Sequence, residues 1–161
     1  MAESMPPVLD ATCGGRMMWF NKQDARALFV DRREIDQIEL CDGRRFSIRP
    51  DLLADFTALP FLDNSFYLVV FDPPHLLRVS DTAYMGIKYG RLPKDWKPLI
   101  RAGFDECMRV LKPNGSLIFK WNETQVRTSE IIALLPQKPL FGHQSGHRLH
   151  THWMAFIKEA L

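Results

Sequence analysis

Ser65-Phe66-Tyr67-Leu68-Val69-Val70-Phe71-Asp72-Pro73-Pro74-His75 is an apolar run that stops abruptly at a carboxylate, two prolines and a ring. Ser65 to Phe71 reads as a buried strand, since a short apolar stretch bounded by turn residues suits a strand covered on both faces. Proline holds its own φ and restricts the residue before it, so 72–75 is a stiff, extended turn. Such a turn presents one carboxylate, one free backbone carbonyl and one flat ring. Those are the parts needed to hold a planar exocyclic amine. Taken alone, the tetrapeptide is equally compatible with an ordinary strand-ending turn.

Working outward, short apolar runs alternate with segments of mixed pattern, the signature of an α/β sheet with helices on its faces. Pro7 to Asp10 and Ala27 to Asp31 read as strands ending at acids, and Leu53-Ala54-Asp55-Phe56 as a third strand end. Thr12-Cys13-Gly14-Gly15 is a turn, and a short helix is expected to begin within Arg16 to Phe20. Asp42-Gly43 marks a small hairpin. Ile100 to Leu111 has a helical period and exits at Pro113-Asn114-Gly115. Ser116 to Lys120 is a fifth strand, and Ser129 to Leu135 a helix capped by Ser129. Leu140-Phe141 and Thr151 to Lys158 form a closing antiparallel pair around a Gly142…Gly146 turn region. Leu76 to Pro98 reads as a long polar and aromatic loop, open to covering a site, to gripping phosphates and stacking bases, or to serving as a merely structural lid.

The chain of 161 residues is expected to be one domain, 1–161, with 46% apolar and 25% charged residues, as in an average globular protein. A net charge of +2 argues neither for nor against nucleic acid, because a local basic patch suffices. Cys13, Cys41 and Cys107 lie far apart and are odd in number, which favours reduced thiols in a cytoplasmic protein. No signal peptide or membrane span is legible, so the expectation is a soluble, cytoplasmic chain. His143, His147, His150 and His152 crowd the end of the chain, but strand alternation sends them to different faces and no acid or cysteine cluster joins them, so no metal is expected.

Acids at three early strand ends suit a nucleoside. In an open parallel sheet, ligands bind beyond the carboxyl ends of the strands at the switch point. Asp31 falls 21 positions after Asp10, close to the spacing of about 20 residues that a ribose-binding acid keeps. Asp55 and Phe56 suit an adenine, one accepting from its amino group and the other packing on the ring. Without G-x-G-x-x-G or a Walker lysine, phosphate fits poorly, and an adenosine with a charged amino-acid tail fits better.

Asp10-Ala11-Thr12-Cys13-Gly14-Gly15, Asp31, Ala54-Asp55-Phe56 and Asp72-Pro73-Pro74-His75, in that order, resemble class I S-adenosylmethionine-dependent methyltransferases. More closely, the chain resembles the small phage- and prophage-type amino-methyltransferases with a D-P-P-H motif. Val110-Leu111-Lys112-Pro113, Phe119-Lys120-Trp121-Asn122-Glu123 and Thr151-His152-Trp153 support this. The resemblance implies a Rossmann-like α/β fold with a mostly parallel seven-stranded sheet and a C-terminal antiparallel hairpin. It implies S-adenosylmethionine as cofactor, with Asp10, Ala11, Thr12, Cys13 and Gly14 around its methionine portion, Asp31 at the ribose, and Asp55 and Phe56 at the adenine. Asp72, Pro73, Pro74 and His75 would form the catalytic turn. Arg16 stands where the first motif usually has its second glycine, and would pair with the cofactor carboxylate. His75 replaces the usual larger ring, and both stacking and general-base roles are open to it. The implied reaction is methyl transfer to an exocyclic amino nitrogen, foremost adenine N6 in DNA. RNA methylation, protein or small-amine methylation, and a non-catalytic cofactor-binding scaffold are the alternatives. Little chain is left to read a sequence in a groove, so the substrate is expected to be recognised loosely, by the loop after His75, or with the help of a specificity partner or homo-oligomer.

Overall fold

The computed structural model describes residues 5–145 and 150–160. Gly146, His147 and Arg148, part of the expected closing turn and histidine cluster, lie outside the described residues. Seven strands form one sheet: β1 (Val8–Asp10), β2 (Ala27–Asp31), β5 (Leu52–Leu53), β6 (Phe66–Phe71), β7 (Leu111–Asn122), β8 (Phe141–Ser145) and β9 (Thr151–Ile157). Their order is β5-β2-β1-β6-β7-β9-β8. The first five of that order run parallel, while β9 pairs antiparallel with both β7 and β8. The chain starts in the middle, steps outward through β2 to β5, then returns to lay β6 on the other side of β1. The β1/β6 boundary is therefore the switch point, where the strands' carboxyl ends open a crevice.

Alternation along the strands divides the core. Leu9, Val69, Phe71, Leu117, Phe119, Met154 and Phe156 pack in one cluster with Ile100, Phe104, Cys107 and Val110 of α2 (Trp96–Val110). α3 (Thr128–Leu134) joins the cluster through Ile131. The alternate residues Ala27 and Phe29 belong to a second, smaller cluster with Cys13, against which Val8 and Trp19 pack. Gly103 lets α2 pack tightly against Phe56 and Phe71. A β-carbon there would lie 2.6 Å from Phe56 Cδ2 and 2.7 Å from Phe71 Cζ. Gly103→Ala should therefore cost about 1–3 kcal/mol by overpacking, despite a helix-propensity gain of about 1 kcal/mol. Urea unfolding checks this, and a variant more stable than wild type would refute it.

Several elements depart from the sequence expectations for identifiable reasons. Arg16 to Phe20 forms turns instead of starting a helix, because Arg16 adopts a left-handed φ of 53° that no right-handed helix continues. α2 begins at Trp96, four positions before Ile100, since Pro98 falls in its first turn, where a missing N–H costs nothing. It ends at Val110, not at Pro113-Asn114-Gly115. Leu111 already pairs with Phe66 at the foot of β7, and the register then slips so that Leu68 meets Ser116. Ser129 does not cap α3. The helix begins one residue earlier, and the Glu123 carboxylate accepts the Thr128 N–H at 3.2 Å instead. β5 stops at Leu53, short of Asp55. Gly142 lies within β8, paired with Met154, and not in a turn.

Asp42-Gly43 does make a hairpin, β3 (Ile35–Glu39) with β4 (Arg45–Ile48), which forms its own two-stranded sheet. Leu40, Phe46 and Ile48 give it a small core. The long segment expected as a loop contains a helix, α1 (Tyr84–Tyr89), whose Tyr84 and Ile87 pack on that core.

Candidate functional site

The site is built where β1 and β6 part. Register pairs Asp10 with Val70, so the residues two positions on, Thr12 and Asp72, emerge side by side beyond the strand ends. The Asp72 N–H donates to Thr12 Oγ1 at 2.8 Å, anchoring the proline turn to the loop after β1. On its other side β7 runs parallel with Phe119 opposite Phe71, which brings Lys120 alongside Asp72. Lys120 Nζ meets Asp72 Oδ2 at 2.8 Å. The catalytic candidate is thus held by both neighbouring strands.

Two adjoining cavities flank this turn and share Thr12, Arg33, Asp72 and Tyr89. One, of about 180 Å³, is also lined by Cys13, Gly14, Pro73, His75, Lys88 and Lys120. The other, of about 30 Å³, is also lined by Ala11, Asp31, Phe56 and Pro74. Most of the residues singled out in the sequence thus meet at one edge. A wider cavity of about 580 Å³ lies past Gly14 and Gly15 toward Asp24 and Arg49, but includes no residue of the proline turn. Volume alone would misplace the chemistry.

Asp10 and Asp55 line neither of the two site cavities. Asp10 is wholly buried; its Oδ1 accepts the Thr12 N–H at 3.2 Å and its Oδ2 the Trp19 indole N–H at 2.7 Å. It shapes the loop from beneath. Asp55 accepts the Thr57 N–H and hydroxyl at 2.8 and 2.7 Å, closing a local turn. Arg16 is likewise committed to the fold. Its guanidinium donates to Lys22 O, Arg49 O and Asp51 Oδ1 and lies 3.8 Å over the Phe29 ring, so the expected pairing with a cofactor carboxylate does not match its placement.

Asp31 accepts the Gly14 N–H on Oδ2 at 2.9 Å and the Arg33 N–H on Oδ1 at 2.9 Å. Gly14 sits at φ 49° with nothing within 4 Å of a would-be β-carbon, a close-approach turn that glycine favours. Arg33, Lys88, Tyr89 and Lys120 are among the lining residues that sequence reading did not single out as site residues, with Gly15, Met17, Met18 and Arg32. Lys88 and Tyr89 stood within the polar aromatic segment, and Lys120 within the run after the fifth strand. Arg33 carried no signal at all. α1 delivers two of them from its seat on the hairpin, and Arg33 Nη1 ties that helix down through Ile87 O at 3.1 Å.

Burial dominates the electrostatics. It pushes the Asp72 carboxyl above the usual carboxylate range, while the Lys120 ammonium pulls it back. Burial, and then Lys120, lower His75 to about 4, so its imidazole is neutral at pH 7. That ring lies 5.7 Å from Tyr89 and 6.3 Å from Trp121, centroid to centroid. Burial, with Asp10 and Asp31 nearby, raises Cys13 to about 12, leaving a neutral thiol unsuited to nucleophilic attack. Among the described residues, no group of His, Cys, Asp and Glu is placed to hold a metal ion. None of their helices is long and apolar enough to cross a membrane.

Burial raises Asp10 from 3.8 to about 7, against the lowering effect of its two N–H donors. Its folded form thus binds a proton more tightly than the unfolded chain does. The resulting stability is fully present below about pH 4 and is lost as pH rises through about 7, at roughly 1.4 kcal/mol per pH unit of difference. Asp10→Asn, which cannot ionise, should flatten that decline. Urea midpoints from pH 5 to 8 check it, and parallel slopes for the two proteins would refute it.

No protein-family model matches the chain, and no curated protein sequence matches it. Among solved structures, it is similar to the PH0226 protein from Pyrococcus horikoshii OT3. The TM-score is 0.58 at 16% identity, covering 94% of this chain and 81% of that one. At such identity the likeness speaks to fold alone. A mostly parallel seven-stranded sheet closed by an antiparallel pair is a Rossmann-like architecture compatible with S-adenosylmethionine binding.

Chemically, the cavity residues suit that cofactor. A carboxylate with spare acceptor capacity at Asp31, an aromatic edge at Phe56 and a side-chain-free turn at Gly14 surround Thr12 and Asp72. Their space is tight. Cavities of about 180 and 30 Å³ fall below the roughly 300–1,000 Å³ of typical ligand pockets. Thr12, Asp72, Arg33 and Tyr89, the last from α1, line both.

Proposed function

We propose that this protein transfers a methyl group from S-adenosylmethionine to an exocyclic amino nitrogen, adenine N6 in DNA foremost. The observation that carries the reading is the Asp72-Pro73-Pro74-His75 turn at the switch point, tied to Thr12 and Lys120, with Asp31 and Phe56 just across Thr12. Asp31 would accept from ribose hydroxyls, Phe56 would flank the adenine, and Ala11 to Gly14 would wrap the methionine portion. S-adenosylmethionine supplies an electrophilic methyl, whose carbon takes the nitrogen lone pair while the C–S pair stays on sulfur. Asp72 and the Pro73 carbonyl accept the two amine N–H groups and aim the nitrogen, help that consists of positioning and preorganised electrostatics. The surplus proton on nitrogen passes to the Asp72 carboxylate and on to water. Neutral His75, backed by Trp121, offers a flat apolar face on which a flipped base stacks.

Arg33, Lys88 and Lys120 line one cavity, but Arg33 and Lys120 pair with Asp31 and Asp72, which leaves Lys88 as the surplus positive charge there for a substrate phosphate. Sequence readout would need an element in the groove, from α1, a second copy or a partner chain. The test is transfer of labelled methyl to duplex DNA, single-stranded DNA, total RNA and a protein extract. Label recovered as N6-methyldeoxyadenosine supports the reading. Label in RNA or protein keeps the chemistry and overturns the substrate. Cofactor binding without transfer to any of them points to a scaffold.

A further inference from the structure

Asp72 has a partner that the amine-holding role does not require. Lys120 Nζ lies 2.8 Å from Oδ2, and both side chains are partly shielded, at 25% and 20% exposure. Lys120 is also 5.5 Å from the centre of the Trp153 ring on β9, which borders its ammonium on the side away from β6. The other cations of the cavity are differently employed. Arg33 is tied to Asp31 and Ile87 O, and Lys88 lies near Tyr84 Oη and over the Tyr84 and Tyr89 rings. Lys120 alone of these cations is ion-paired to the carboxylate of the proline turn.

Resting on the reading above, we infer that Lys120 is a positioning residue: it holds the Asp72 carboxylate by Oδ2, leaving Oδ1 to accept from the target amine. A carboxylate at this depth is costly to keep charged. The groups around it offer little other help. Asp10 faces it from β1 as a second acid, and Asp31 lies across the smaller cavity. Neutral His75 is in the same turn, the neutral Cys13 thiol faces the larger cavity, and Arg32, Arg33, Lys88 and Tyr89 stand around the cavities. Among the described residues, Lys120 is the cation in contact with the carboxylate, and by holding Oδ2 it leaves Oδ1 facing outward. A protonated Asp72 would present an O–H where an acceptor is needed and could not take the proton released by the attacking nitrogen. The ion pair keeps the turn in its competent form before substrate arrives.

The decisive experiment follows the Asp72 carboxyl carbon by NMR through a pH titration in wild type, Lys120→Met, Lys120→Gln and Lys120→Arg. Removing an opposite charge in hydrogen-bond contact should raise the Asp72 midpoint by about 1–3 pH units in the Met and Gln variants. Lys120→Arg should stay near wild type. The acid limb of kcat/KM should move upward with it, so that Lys120→Met loses about tenfold or more at pH 6.5 and recovers toward wild type at pH 9. An unchanged Asp72 midpoint, or a loss of activity equal at every pH, would overturn the inference. A shifted midpoint in a protein whose wild type methylates nothing would instead overturn the methyltransferase reading and keep the Lys120 assignment.

Discussion

Asp72→Ala will lower methyl transfer by about 10²–10³-fold, the scale seen when one preorganised polar group at a reacting centre is lost. Cofactor affinity should change little, because Asp31, Phe56 and the 11–14 loop are untouched. The fold should persist as well. What anchors the turn is the residue 72 backbone N–H on Thr12 Oγ1, a bond that alanine retains. Asp72→Asn is the more informative companion. It keeps the shape but puts an amide N–H₂ against either Lys120 or the amine, so one donor always meets another. Single-turnover transfer with saturating S-adenosylmethionine measures both, and a variant retaining more than a tenth of wild-type rate would remove Asp72 from the reaction.

Trp121→Ala carries the second large effect, on stability first and on the site through it. Trp121 is fully buried on β7, stacks edge-on with Phe119 and donates its indole N–H to Val126 O at 2.9 Å. Truncation should cost about 3–5 kcal/mol from the lost burial and the cavity left behind. For a chain of this size that lowers the melting temperature by roughly 6–20 °C. It also removes the ring behind His75. Calorimetry at one pH checks the first part. A melting temperature within a degree or two of wild type would show that the surrounding core had collapsed to fill the space.

The sequence was most legible where chemistry punctuates it. Ala27 to Asp31 has the bounds read from its apolar run and terminal acid, and the turn after Phe71 lies where two prolines must break a strand. Asp10 is legible as a strand end but not as a buried strut, because one of its bonds comes from the Trp19 indole, whose direction no local pattern reveals. The Lys120–Asp72 pair is a matter of register between strands forty-eight positions apart in sequence, and register is set by the whole sheet. α1 escaped for a related reason. Six residues too short to hold a helix alone gain theirs by packing Tyr84 and Ile87 on a hairpin core formed some forty residues earlier. Arg16 misled because the glycine usual at its position suggested a ligand role, whereas its guanidinium is taken up by two backbone carbonyls and Asp51.

The seat of α1 divides the walls of the crevice between two bodies. Thr12, Asp72 and Lys120 are rooted in the central strands and share the rigidity of the main sheet, whereas Lys88 and Tyr89 ride on a helix that leans on a two-stranded outlier. A small hairpin opens at far lower cost than a seven-stranded core. The wall rooted in the central strands is thereby the stiffer of the two, and the α1 wall is the one that local opening reaches first.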